Sequence, residues 1–103
     1  MIEGLKFDVS YQEMQVHLEA KEAHHRERAA FYADKAAALE KGGAEAAQFS
    51  GGDPVRALRD SQTKHVHRAD LFDFLRRHLI AGETYRLTEA DLVVLEFISN
   101  PRW

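Results

Sequence analysis

Glu22 and His25 stand three residues apart in a stretch of unbroken helical character. That spacing brings a carboxylate and an imidazole to one side of a helix, where an oxygen and a nitrogen can share a transition-metal ion. The second long periodic stretch carries Gln62 and His65 at the same spacing, so His65 is the third candidate ligand. A bland reading uses the same residues without an ion. A polar layer in an otherwise apolar helical seam fixes register and partner, at some cost in stability. The polar layer is the favoured expectation, so no cofactor is expected, with a transition metal ion on Glu22, His25 and His65 as the alternative.

Over four residues the Glu22 to His25 element resembles the ExxH motif of four-helix di-iron proteins, and the metal is what that resemblance implies. The second helix departs from the pattern by offering Gln62 where a second glutamate would stand. Hairpin geometry adds a condition. If Leu39 lies near Leu58 across the turn, His65 faces Tyr32 and His25 faces Phe72. The two imidazoles then sit roughly 10 Å apart along the axis, so one hairpin is not expected to bring them to one ion. Two hairpins packed antiparallel would. His17, His24, His67 and His78 fall outside the inward stripe and are expected to be solvated.

The elements that must position these residues follow from periodicity and end signals. A first helix is expected over 10–41, opened by a capping box of Ser10 and Glu13 and ended at Gly42-Gly43. Its inward stripe reads Tyr11, Met14, Leu18, Glu22, His25, Ala29, Tyr32, Ala36 and Leu39. A Gly-rich turn over 42–52 joins it to a second helix over 53–81, with Asp53 as cap, Pro54 at the first turn and Gly82 as stop. The second stripe is Val55, Leu58, Gln62, His65 or Val66, Ala69, Phe72, Leu75 and Leu79, widened by Leu71, Phe74 and Ile80. Apolar and polar residues alternate over 5–9 and again over 84–87, which points to two short strands that pair with each other. Thr88 and Asp91 form a second capping box for a short helix over 88–99, apolar nearly all round and stopped by Asn100-Pro101.

The fold class expected is mainly α: a long antiparallel helical hairpin plus a short C-terminal helix, with a minor two-stranded pairing, all in a single domain of 103 residues. A chain this small has a limited core, and its apolar surface exceeds what one hairpin covers. A homodimer with a four-helix core follows as an expectation, with Phe74, Leu92, Leu95 and Phe97 at the interface.

Hydrophobic content of 45% and charged content of 30% are those of an ordinary folded protein. The formal charge of −3 gives no global signature for nucleic acid, which is not an expected partner. The second helix is basic on its outward side, with Arg56, Arg59, Lys64, His67, Arg68, Arg76 and Arg77, but no aromatics are interleaved there and a solvated face is the simpler reading. No cysteine is present, which excludes thiolate nucleophiles and disulfides. No apolar run approaches the ~20 residues of a membrane span, and no secretory leader is visible, so a cytoplasmic protein is expected. Without a convergent nucleophile, base and oxyanion donor, the leading expectation is a non-enzymatic helical interaction and oligomerisation module with a possible protein partner. The alternative is a metal-binding or redox enzyme of four-helix type with its site at the dimer interface.

Overall fold

Good helix formers run from the Ser10 cap without glycine or proline until Gly42, and in the computed structural model that run is one helix. The structure describes residues 6–42 and 54–98. They form β1 (Phe7–Ser10), α1 (Tyr11–Gly42), α2 (Pro54–Arg77), β2 (Thr84–Leu87) and α3 (Glu89–Val94). The turn beyond Gly42, Asp53, Leu5, Asn100-Pro101 and Arg102-Trp103 lie outside the described residues. Contacts divide the chain into two compact units. A terminal unit comprises Met1–Glu22 with Leu71–Trp103, and a central unit comprises Ala23–Asp70. Within each, α1 and α2 pack against one another.

In the terminal unit β1 and β2 pair antiparallel, with Phe7 opposite Leu87 and Val9 opposite Tyr85. Two-stranded ladders are marginal alone, and this one is held by its apolar face. Val9 and Leu87 join Met14, Leu18 and Phe72 in the buried core, while Asp8 and Arg86 pair across the other face at 3.3 Å. Leu18 and Phe72 are completely buried. The Ser10 hydroxyl accepts from the Glu13 amide at 3.1 Å and the Glu13 carboxylate accepts the Ser10 amide at 3.2 Å, the expected capping box. Thr88 and Asp91 do the same for α3.

Two helices end earlier than their sequence suggests. The second stops at Arg77, not at residue 81, because the His78 and Leu79 amides donate three residues back, to Leu75 and Arg76 carbonyls, and tighten the end. Residues 80–83 are then spent on a turn. The Glu83 amide donates to the Ile80 carbonyl at 3.1 Å, with Gly82 at φ 85°, and the Ile80 amide donates to the Tyr85 hydroxyl at 2.7 Å. That turn returns the chain to β1. The third helix stops at Val94, not at residue 99, because Glu96 adopts φ 61°. The Phe97 amide reaches the Leu92 carbonyl at 2.8 Å and the Glu96 amide reaches Val93 at 3.1 Å, the two bonds of a Schellman cap.

The central unit is built from the two long helices with small residues at their contact. Among the described residues its buried positions are Ala29, Ala36, Ala69 and His25. Alanine at these points lets the helix backbones approach closely but removes little apolar area from water.

Candidate functional site

The polar positions of the seam divide between the units. In the terminal unit the Glu22 carboxylate accepts Arg76 Nη2 at 3.3 Å, and the same nitrogen donates to Asp73 at 2.8 Å. Arg77 Nε also donates to Asp73, at 3.0 Å. Glu22 is therefore half-buried in a charge network with Arg76 and Asp73.

His25 and His65 do meet within one hairpin, against the expectation from backbone register. Their Nδ1 atoms are 2.8 Å apart, with ring centroids 5.0 Å apart. The register itself is as expected, since His65 stacks on Tyr32 at 5.5 Å with the planes 14° apart. What the axial count omitted is the reach of the rings. Ala29 leaves a gap between His25 and Tyr32 on α1, and the His65 ring fills it, so two ring-to-ring steps of this size span the ~10 Å offset. Arg28 Nη2 braces the stack by donating to the Tyr32 hydroxyl at 3.1 Å.

A hydrogen bond between two Nδ1 atoms holds one proton, so one ring donates and the other accepts as a neutral imidazole. Burial holds the His65 pKa below its ordinary 6.5, helped by the positive charge of His25, Arg28, His24 and Lys64. The pair is thus a one-proton device in cationic surroundings. Those surroundings oppose a metal dication for the same reason that they oppose a second proton. Among the described residues no group of three or more His, Asp or Glu that could hold a metal ion is gathered.

His17 is not solvated. Its Nε2–H donates to the Leu95 carbonyl at 2.6 Å and its ring stacks on Phe97, with centroids 3.6 Å apart. That carbonyl belongs to the end of α3, where a helix leaves acceptors open. Lys21 approaches Glu96 at 4.0 Å one turn further along. The signal was a position flanking Met14 and Leu18, readable only once α3 is known to lie there. His24, His67 and His78 are exposed, as expected, although His78 donates to the Phe74 carbonyl and stacks on its ring.

Of the expected interface residues, Phe74 is 56% exposed, whereas Leu92, Leu95 and Phe97 are half-buried against the core of their own unit. Ile80, Val94 and Ile98 are exposed apolar residues of the same unit. One cluster escaped the sequence reading altogether. The Arg28 guanidinium lies 4.6 Å from the Phe31 ring centre and Lys35 Nζ lies 5.5 Å from it, around a phenyl group that is 43% exposed. Cations three and four residues either side of an aromatic were its signal.

Comparison with known proteins returned no matching family, no matching curated protein and no matching solved structure. No helix among the described residues is long and apolar enough to cross a membrane.

Proposed function

We propose that the chain is a non-enzymatic helical interaction and oligomerisation module that forms a homodimer through its terminal unit, with a four-helix core, in the cytoplasm. The observation that carries this reading is the set of large apolar side chains left in water there: Phe74, Ile80, Val94 and Ile98 are 42% to 63% exposed. They belong to a unit whose buried core, among the described residues, comprises five residues, so association adds apolar burial. Leu92, Leu95 and Phe97, already half-covered, complete the face, and a two-fold axis is the commonest way to close such a surface. The polar layer of the seam serves register in this reading, with Glu22 held by Arg76 and His25 by His65.

Sedimentation equilibrium at micromolar concentration tests the dimer against a chain mass of 11.8 kDa. Twice that mass is expected. Phe74→Glu should return the monomer with its helix content intact, because Phe74 contributes little to the fold of one chain, and Leu95→Glu should split or unfold the dimer. A wild-type monomer at tens of micromolar, with unchanged helicity, overturns the proposal.

A further inference from the structure

We propose that the stripe of α1 formed by His24, Arg28, Phe31 and Lys35, together with Lys64 of α2, is a docking surface for single-stranded nucleic acid. These α1 positions continue the spacing of His17 and Lys21, four and three residues apart, and so fall along one side of one helix. In the terminal unit the first two members of the stripe are occupied. His17 donates to a carbonyl and stacks on the Phe97 ring, and Lys21 faces the Glu96 carboxylate. The stripe therefore already holds, within its own chain, an acceptor oxygen, an aromatic ring and an anion.

His24, Phe31 and Lys35 are exposed and Arg28 is half-buried. A nucleotide offers the same three groups that α3 supplies in the terminal unit. Phosphates would take Arg28, Lys35 and Lys64, and a base would stack at Phe31 in place of the cations that now flank it.

Charge supports this occupant. Residues 23–70 carry eight Lys and Arg against seven Asp and Glu, plus four of the six histidines, whereas the rest of the chain carries six against ten. The overall −3 conceals that polarity. Glu27 and Asp34 border Phe31 at four and three residues, on the side of the ring away from Arg28 and Lys35, and Arg26 pairs with Asp70 at 3.2 Å. The groups that bear on His65, besides its burial, are His25, Arg28 and His24 from α1 and Lys64 from α2, and each opposes a proton on it. An anion on Arg28 and Lys64 would offset them and make a further proton on the imidazole pair less costly. Binding should therefore take up protons.

The test is fluorescence anisotropy of a labelled single-stranded RNA dodecamer titrated with the full chain, at pH 7.5 and 6.0 and over a range of salt. Saturable binding is expected, with affinity falling with salt at a log–log slope of about −2 for three phosphate contacts. Phe31→Ala should weaken it roughly five- to 150-fold, with Phe31→Trp restoring it, and Arg28→Glu with Lys35→Glu should abolish it. Affinity should rise at pH 6.0, and His65→Gln should flatten that rise. No saturable binding at low salt overturns the proposal. So does equal competition by polyglutamate with no effect of Phe31→Ala, which would mark a surface for acidic protein. An affinity indifferent to pH would place the anion away from Arg28 and Lys64, and would overturn it as well.

Discussion

The terminal and central units join the same two helices by opposite means. In the terminal unit Leu18 and Phe72 are buried completely and the strands and α3 add Val9, Leu87 and a rim of half-buried apolar residues. In the central unit the corresponding positions are Ala29, Ala36 and Ala69, with His25, His65 and Tyr32 stacked between them. A buried phenyl or isobutyl group is worth about 1.5–3 kcal/mol of transfer free energy, and an alanine methyl far less. Stability is therefore concentrated in the terminal unit and geometric specificity in the central one. An imidazole stack permits one ring order and one proton count, which apolar side chains would not enforce.

The largest effect that can break this comparison is Phe72→Ala. Loss of the ring and the cavity left behind should cost about 3–5 kcal/mol, a large share of the roughly 5–15 kcal/mol expected for a chain of this size. Urea denaturation followed by circular dichroism measures it. A cost below about 1.5 kcal/mol would show that the terminal unit is not the anchor.

The sequence disclosed the architecture where one physical signal acted alone. Both capping boxes, the strand pairing and the inward stripe of α1 from Tyr11 to Leu39 rest on local hydrogen bonding or on simple periodicity, and they are found, with β1 running Phe7–Ser10 where 5–9 was expected. It was misleading where the decision was made by something distant. The end of α2 was set by the need for a turn at Gly82 that returns β2 to β1, and the end of α3 by a left-handed Glu96 that no cap residue announces. The candidate site was legible in identity but not in geometry. His25 and His65 were both singled out, yet backbone register placed them apart because it carries no information on how far the rings reach past Ala29, and the rings meet at 2.8 Å. His17 was missed because its partner lies 78 residues away.

A smaller effect sharpens the contrast through pH. His65 binds a proton less readily in the folded chain than at its ordinary 6.5, so the unfolded chain takes up protons first as pH falls. Stability should be full above pH 6.5, decline as pH drops through it, and level off below the folded value. The loss belongs to the central unit, where His24, His25, Arg28 and Lys64 supply the opposing charge. Hydrogen exchange at pH 5.5 against pH 7.5 should show protection falling around Ala29 and Ala69 while Leu18 and Phe72 hold. His65→Gln should remove the difference. Equal loss in both units, unchanged by His65→Gln, would detach the imidazole pair from the acid response.

The smallest expected effect lies at Glu96, where the terminal unit closes α3 with a residue poorly suited to its backbone. At φ 61° an L side chain crowds the following carbonyl, at a cost of about 1–2 kcal/mol that glycine escapes. The Glu96 carboxylate recovers some of this through Lys21, although a pair at 4.0 Å with Lys21 one-third exposed is worth at most about 1 kcal/mol. Glu96→Gly and Glu96→Ala both delete the carboxylate, so their difference isolates the backbone. Glycine also loses more freedom on folding, which trims its advantage. The glycine variant should melt a few degrees above the alanine variant, for about 1 kcal/mol in a domain of this size. An alanine variant as stable as the glycine one would mean that α3 does not end in the left-handed cap. The His17 hydrogen bond to Leu95 and the Phe97 stack would then lose the geometry that presents them.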